Sequence, residues 1–321
     1  MFAPKALMSR TNYIGFLITS SIVYALRCIK NLAKVVLGEE TSFTHRDVFF
    51  RKYFFQLLRR QVKITVTSPP GEGAGAQALM RMNAIAFARE SGLDYVHTPF
   101  TEIAHADRPM EEWVDAWESL FNLGAGEPLA KEGDCGVVVD FAYNFGYFPL
   151  ADSDAREFRR RYYLNKSPKL SGSLTIGVHI RRADVASPDH YMWTNTDAIV
   201  KTLSVVRYIL ESRGLKYRTC VYSQGSGGDF IDLEPAELFV NADAVWTMQE
   251  LIEADILIMA KSLFSYVAAA LSNGIKIYDP WYLPPMAGWL SRRPCGDFDV
   301  DVFERQLRRR IVSNPSYTEP R

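Results

Sequence analysis

The chain has 321 residues, of which 48% are hydrophobic, so it is long enough for two domains that each bury a core. Lysine plus arginine and aspartate plus glutamate both number 37, which removes the electrostatic argument for nucleic-acid binding, and we predict no nucleic-acid partner. The four cysteines and five histidines are dispersed, which argues against a disulfide framework or a metal site and favours a reducing, cytoplasmic compartment.

Residues 1–40 are predicted to form an amino-terminal helical segment. Its apolar run, Tyr13 to Leu26, is interrupted by hydroxyl residues and is shorter than the roughly 18 to 20 apolar residues that a spanning helix requires. Basic residues follow at helical spacing, with apolar residues on the other faces: Arg27, Lys30 and Lys34. Residues 12–37 therefore fit either a peripheral helix on the cytoplasmic face of a membrane or an ordinary helix packed on the protein.

Residues 41–165 are predicted to form a first Rossmann-like domain. After a helix over Asp47 to Arg60, a strand from Val62 to Thr67 leads through the glycine-rich loop Gly71 to Gln77 into a helix. Strand, glycine-rich turn and helix in this order let backbone amides approach a phosphate or a sugar. The loop has neither the Lys-Ser/Thr of a P-loop nor the dinucleotide glycine spacing, so a tight turn before a helix is the alternative.

The rest of this first domain continues the alternation of strands and helices. Further elements are predicted at Asp94 to His97, Pro109 to Leu123, Gly136 to Phe141 and Asp154 to Leu164. Trp113 and Trp117 lie at helical spacing, which favours a core position over a sugar-stacking platform.

Residues 166–295 are predicted to form a second Rossmann-like domain, reached through a linker at Lys166 to Ser173. Strands alternate with helices, which implies a parallel sheet with right-handed crossovers. The strands are Leu174–Ile180, Arg218–Ser223, Glu237–Val240, Asp255–Met259 and Ile275–Tyr278, and the helices are Asn195–Arg213, Thr247–Glu253 and Ser262–Leu271.

Residues 296–321 are predicted to form a carboxyl-terminal helix, Val302 to Val312, and a tail. Aspartates at 297, 299 and 301 resemble a metal-binding triplet, but Asp301 directly precedes the helix and we predict that it caps it.

The stretch Leu174 to Asp184 carries the strongest functional signal. An apolar, β-branched strand ends abruptly in charged and polar residues: His179, Arg181, Arg182 and Asp184. In an open parallel sheet, ligands bind at this end of the strands. Two arginines that leave a hydrophobic strand must meet either a carboxylate or an anionic ligand. We predict a phosphate, with an internal ion pair to Asp184 as the alternative.

Two more loops are expected at the carboxyl ends of strands in the same domain. One, Tyr222 to Asp229, includes Ser223 and is polar and glycine-rich. The other, Ala260 to Ser265, places Ser262 at a helix amino terminus, where its hydroxyl and nearby amides can meet an anion; plain N-capping is the alternative. All three loops would open on one crevice, which favours a nucleotide site.

These residues resemble the GDP-fucose-dependent fucosyltransferases of the alpha-1,2, alpha-1,6 and O-fucose superfamily. His179 to Asp184 is similar to the His-x-Arg-Arg-x-Asp motif of that family. Gly73 to Gln77 is similar to its glycine-rich loop, and Ser262 to Ser265 resembles its later Ser-x-Phe-Ser segment. The resemblance implies a GT-B architecture of two Rossmann-like domains facing a cleft. It also implies GDP-fucose as the donor substrate, a glycan or glycolipid acceptor, and arginine in place of a metal or other cofactor.

The resemblance also implies roles for individual residues. Arg181 would contact the β-phosphate and act in catalysis with Asp184, while His179 would take a guanine-side or a phosphate-side role. Arg182 would support the site, pairing with Asp184 to fix the loop. The remaining predicted donor-binding residues are Ser223, Ser262, Ser265, Gly73, Gly75 and Gln77.

Some questions stay open at the level of the sequence. No motif identifies a catalytic base, and Asp184, Asp189 and His190 are candidates by proximity alone. Another sugar nucleotide is an alternative donor, and a non-catalytic nucleotide-binding scaffold of the same fold is an alternative function.

Overall fold

A computed structural model describes residues 62–69, 71–130, 137–140, 150–164, 166, 172–182, 184–185, 187–233, 235–313 and 317. The predicted segment at 1–40, with its membrane contact at 12–37, and the predicted helix at 47–60 lie outside these residues. Within the described ranges, no helix is both long enough and apolar enough to cross a membrane.

Strands and helices alternate along the described chain, and every strand pairing is parallel, which confirms the predicted α/β class with mostly parallel sheets. The strands are β1 (Val62–Thr65), β2 (Asp94–Tyr95), β3 (Val137–Asp140), β4 (Leu174–His179), β5 (Tyr217–Ser223), β6 (Glu237–Val240), β7 (Ile256–Ile258), β8 (Ile275–Tyr278) and β9 (Leu290–Ser291). The helices are α1 (Ala74–Ser91), α2 (Met110–Phe121), α3 (Asp152–Tyr163), α4 (Thr196–Ser212), α5 (Ala244–Glu253), α6 (Leu263–Leu271) and α7 (Val300–Ser313). A 3₁₀ segment, Gly227–Leu233, and strand β9 were not predicted.

The chain divides into two compact units. The smaller unit takes its described residues from 62–67, 84–98 and 126–146 and holds a three-stranded sheet in the order β2-β1-β3. The larger unit takes its described residues from 68–83, 99–125 and 147–317. It therefore includes the start of α1, together with α2 and α3, which the predicted boundary near residue 165 had assigned to the other domain.

The larger unit is built on a six-stranded sheet in the order β6-β5-β4-β7-β8-β9. Apolar residues on alternate positions of β4 bury one face of this sheet, since Leu174, Ile176 and Val178 are all 0% exposed. Helix α4 packs on that face through a stripe of apolar residues at helical spacing, and α7 contributes Phe303 and Leu307 to the same core. The sheet is thus covered and rigid where the functional strand lies.

Helix α3 begins at Asp152, two residues before the predicted start, and has no side-chain cap. At two other helices a side-chain cap explains the difference from the predicted start. Helix α5 begins at Ala244, not Thr247, because the Asp243 side chain accepts the Trp246 N–H at 2.7 Å. The cap of α7 is Asp299, whose carboxylate accepts the Val302 N–H at 2.9 Å, and the prediction for Asp301 is wrong.

The tryptophans of α2 are core residues, as predicted. Trp113 is 2% exposed and Trp117 is 1% exposed, with their rings in an edge-to-face contact at 5.4 Å. They are therefore unavailable as a sugar-stacking surface.

Candidate functional site

The strand order of the six-stranded sheet indicates where a ligand would bind. From β4 the chain runs outward to β5 and β6 on one side, and from β7 it runs outward to β8 and β9 on the other. Connections that leave in opposite directions open a crevice above the carboxyl ends of the two central strands. His179 ends β4, and the segment Met259–Ser262 leads from β7 into α6, so the predicted residues stand at this crevice.

His179 is held as a neutral hydrogen-bond donor. Its Nδ1 lies 2.5 Å from the Ser265 Oγ, which also accepts the Ala260 N–H at 3.1 Å. A hydroxyl can accept two hydrogens and donate one, so this contact restrains the ring with either nitrogen protonated. Burial, together with the charge of Arg181, lowers the pKa of His179 to about 3, so the ring carries no charge near neutral pH.

Arg181 combines an internal ion pair with unused donors. Its Nε lies 3.2 Å and its Nη2 lies 2.5 Å from the two carboxylate oxygens of Asp184, and its Nη1 lies 3.2 Å from the Met192 sulfur. A guanidinium has five N–H groups, and these contacts engage three of them. The side chain of Arg181 is 24% exposed, so it can meet an anion while it stays paired.

The adjacent Arg182 has a structural role instead. It is only 9% exposed, and its guanidinium lies 3.7 Å from the centre of the Trp193 ring. Its Nη1 donates to the Arg181 carbonyl at 2.8 Å, and its Nη2 donates to the Thr196 hydroxyl at 2.8 Å. The structure therefore pairs Arg181, not Arg182, with Asp184, because consecutive side chains of an extended chain point in opposite directions.

The ion pair also defines what Asp184 can do. The hydrogen bonds from Arg181 lower the pKa of the Asp184 carboxyl, so it is anionic near neutral pH and a weak proton acceptor. Of the other proximal candidates, His190 uses its Nδ1 to accept the Met192 N–H at 3.2 Å, and Asp189 lies in the same exposed turn.

The predicted serines are buried and use their hydroxyls within the protein. Ser262 is the N-cap of α6 and accepts the Phe264 N–H at 3.1 Å, which is the N-capping alternative. Ser223 donates to the Ile180 carbonyl at 2.8 Å and so ties the ends of β4 and β5 together. Both residues shape the crevice, and Ser265 orients His179.

The glycine-rich loop meets the start of α6 directly. A Cβ added at Gly75 would lie 2.6 Å from the Phe264 nitrogen, so only glycine permits this approach. Gln77 is fully buried, and its amide donates to the carbonyls of Glu72 at 3.0 Å and Glu102 at 2.6 Å, which fixes the loop. At Gly73, an added Cβ would lie 3.8 Å from the His105 ring, an ordinary contact.

Two helix amino termini come together beside the end of β4. The amino-terminal ends of α1 and α6 adjoin, and each carries a partial positive charge. The neutral ring of His179, at the end of β4, contacts Ser265 and Phe264 of α6, and Arg181 follows it two residues later in the chain. In the described part of the chain, no group of three His, Cys, Asp or Glu side chains could hold a metal ion.

Sequence reasoning did not single out two exposed tyrosines of the larger unit. Tyr191 lies in the loop after β4, and Tyr282 lies in the loop after β8. Partial burial raises the pKa of the Tyr282 hydroxyl. No periodicity or motif marks either residue.

No protein-family model matches the sequence, and the comparison with curated proteins gives no match. Among solved structures, the chain is similar to the NodZ alpha-1,6-fucosyltransferase co-crystallized with GDP, at 14% identity and a TM-score of 0.32, over 74% of this chain and 97% of that chain. It is similar to E. coli heptosyltransferase WaaC with ADP-2-deoxy-2-fluoro heptose, at 12% identity and a TM-score of 0.39, over 78% and 99%. It is also similar to an Arabidopsis thaliana FUT1 mutant in complex with GDP, at 14% identity and a TM-score of 0.32, over 78% and 76%.

Proposed function

We propose that the chain is an inverting glycosyltransferase that transfers fucose from GDP-fucose to a hydroxyl of a glycan or glycolipid without a metal ion. One observation carries the proposal: a neutral histidine, an arginine with unused donors and two adjoining helix amino termini converge at the carboxyl end of β4. This combination suits a diphosphate, which needs several directed donors together with a positive potential.

Sugar transfer needs these donors at the step in which the bond between the sugar and the phosphate breaks. The acceptor oxygen forms a bond to the anomeric carbon while the bond from that carbon to the β-phosphate oxygen breaks, and GDP departs with the electron pair. The acceptor hydroxyl loses its proton to a base. Negative charge grows on the phosphate oxygen, and Arg181 together with the ends of α1 and α6 would stabilise it. Asp184 would hold Arg181 in place for this step and is a positioning residue.

The choice of GDP-fucose rests on the resemblance of His179 to Asp184 to the fucosyltransferase motif. Contacts to phosphates do not read the sugar or the base, so the nucleotide must be identified by experiment. Arg181 favours an enzyme that transfers a sugar to a hydroxyl over a non-catalytic scaffold. Its guanidinium is paired with Asp184 but keeps N–H groups that can bind negative charge as it develops during a reaction.

The test is calorimetric titration of the full chain with GDP, UDP, ADP, GDP-fucose and GDP-mannose in EDTA, for the wild type, Arg181→Ala and Arg305→Ala. A parallel assay measures turnover of GDP-fucose and of GDP-mannose by the same proteins. Arg305 is an exposed arginine of α7 and serves as the matched control. We expect GDP and GDP-fucose to bind the wild type and the control alike. Loss of Arg181 should weaken GDP binding and slow donor turnover by about 10²-fold, since one such donor is worth about 3 kcal/mol in the transition state.

Three results would change the proposal. Failure of every nucleotide to bind would show that the cluster at β4 only stabilises the fold. Turnover of GDP-mannose but not of GDP-fucose would keep the enzyme class and change the donor. Nucleotide binding without any donor hydrolysis or transfer would favour the scaffold.

A further inference from the structure

Three basic side chains from separate elements meet at the carboxyl end of α6. Arg159 of α3, Lys276 of β8 and Arg310 of α7 each donate to a main-chain carbonyl of residues 270–273, at 2.9, 2.8 and 3.2 Å. All four elements belong to the larger unit, and we call the three side chains the basic cluster. Helix α6 has nine residues, so the basic cluster lies about 13 Å along the helix from the end that meets the crevice.

Only part of this positive charge is paired within the protein. The carboxylate of Asp255 is buried, and its Oδ1 accepts the Arg310 Nε–H at 2.8 Å while its Oδ2 accepts the Thr175 N–H at 2.8 Å. Among the residues that the structure describes, no ion pair joins Lys276 or Arg159 to a carboxylate. The basic cluster therefore holds two positive charges beyond the one that Asp255 pairs.

The basic cluster also keeps donors that the described part of the chain does not use. An ammonium has three N–H groups and a guanidinium has five. The contacts with the end of α6 engage one N–H of Lys276 and one of Arg159. Lys276 is only 8% exposed, so water satisfies its remaining N–H groups poorly. Buried donors without acceptors cost free energy, which favours a ligand that supplies acceptors.

Capping of α6 does not explain this much charge. The carboxyl end of a helix carries about half a negative charge, which is too little to pair with two cations. Burial, together with the charges of Arg159 and Arg310, lowers the pKa of Lys276 to about 7. Burial also lowers the pKa of Arg159, although the charge of Asp152 opposes that shift. An anion at the end of α6 would offset both effects.

The basic cluster is open to a small ligand. The side chain of Arg310 is 23% exposed and Arg159 is half-buried, so both guanidiniums meet solvent. A doubly charged group with several acceptor oxygens matches two unpaired cations and their free N–H groups. We propose that the basic cluster binds a phosphate dianion at the end of α6 away from the crevice. This site is separate from the one proposed for the donor and does not depend on it.

The experiment titrates the full chain with inorganic phosphate by calorimetry, at constant ionic strength. The wild type is compared with Lys276→Met, Arg159→Gln, Arg305→Gln and Arg181→Ala. Arg305 is an exposed arginine of α7 and is the matched control for loss of a charge, while Arg181→Ala removes the charged donor of the crevice. Melting temperatures verify folding, and Lys276→Met should fold because an apolar side chain of similar volume replaces a buried charge.

We expect the wild type, Arg305→Gln and Arg181→Ala to bind phosphate with affinities within twofold of one another. Lys276→Met and Arg159→Gln should each lose at least about tenfold in affinity, and phosphate should raise the melting temperature of the wild type but not of Lys276→Met. The inference is overturned if the wild type binds no phosphate, or if Lys276→Met and Arg159→Gln keep full affinity. Loss of binding in Arg181→Ala alone would assign the anion to the crevice and also overturn it.

A second measurement identifies the source of the phosphate group, which is either a soluble molecule or a lipid headgroup. Vesicles of phosphatidylcholine with and without phosphatidate are floated with the wild type and with Lys276→Met. Flotation of the wild type alone, and only with phosphatidate, would assign the basic cluster to a lipid phosphate. Phosphate binding in solution without flotation would assign it to a soluble phosphate. GDP titration of the same proteins tests the proposed function independently.

Discussion

Substitution of Gly75 by alanine tests the contact on which the candidate site depends. The added Cβ would lie 2.6 Å from the Phe264 nitrogen, 2.7 Å from the Phe264 Cα and 2.8 Å from the Leu263 carbonyl carbon. Ordinary contacts begin at 3.4 Å, so α1 and α6 would have to separate by about 0.8 Å. All three obstructing atoms belong to the backbone, and none can rotate aside.

The expected cost follows from two opposing terms. Overpacking in a close-packed contact costs about 1–3 kcal/mol, and three backbone contacts place this case in the upper part of that range. Alanine in a helix is favoured over glycine by about 1 kcal/mol. The free energy of unfolding should therefore fall by about 1–2 kcal/mol. Because the two amino termini move apart, the affinity for GDP should fall by up to about tenfold.

Urea unfolding and GDP calorimetry on the same preparations provide the measurement. Gly227→Ala is the matched control for stability, since a Cβ there meets nothing within 4 Å and the substitution should leave the urea midpoint nearly unchanged. If Gly75→Ala unfolds at the wild-type urea concentration and binds GDP with wild-type affinity, the close approach of α1 to α6 has no part in the site.

Two further predictions separate the roles of the residues at the end of β4. Arg182→Ala should lower the free energy of unfolding, measured in urea, by about 2–4 kcal/mol. The reason is that it removes a buried guanidinium that packs on Trp193 and leaves the acceptors of its hydrogen bonds unpaired. Arg181→Ala should lower the free energy of unfolding by less than about 1 kcal/mol. Equal losses for the two variants would contradict this division. The pKa of His179 is about 3 in the folded state and 6.5 in the unfolded state. Between these pH values the unfolded state binds more protons than the folded state. The stability of the wild type should therefore fall as the pH drops from 6.5 toward 3. Urea unfolding at a series of pH values should show that the free energy of unfolding of His179→Gln declines less steeply than that of the wild type, by at most about 1.4 kcal/mol per pH unit. Parallel pH profiles of the two proteins would show that His179 titrates normally.

The sheet follows from local sequence, which is why it could be predicted. A β-branched run that ends in His179 and the arginines marks a buried strand and its carboxyl end within a few residues. Alternation with amphipathic helices then implies parallel pairing, and parallel pairing brings the ends of β4 and β7 to one edge.

The roles of individual residues depend on contacts that local sequence does not contain. Gly75 is needed because of Phe264, which lies far away in the chain, and the glycine-rich loop alone left a simple turn as the alternative. Arg181 and Arg182 are neighbours with the same side chain, and only the tertiary environment of Trp193 makes one of them structural. Tyr282 sits in a loop with no periodicity, so its exposure is evident only in the folded chain.

The balance of charge in the whole chain agrees with the way the site is built. With equal numbers of acidic and basic residues, the surface supplies no general attraction for an anion, so a diphosphate must be recognised locally. At the end of β4, Arg181 is already paired with Asp184, Arg182 is buried against Trp193, and His179 is held neutral. Recognition therefore depends on directed N–H groups and on the dipoles of α1 and α6, whose positions the Gly75 contact fixes. Such preorganised dipoles need no reorganisation when charge develops on a departing phosphate, and this is the physical reason for proposing that the site is catalytic.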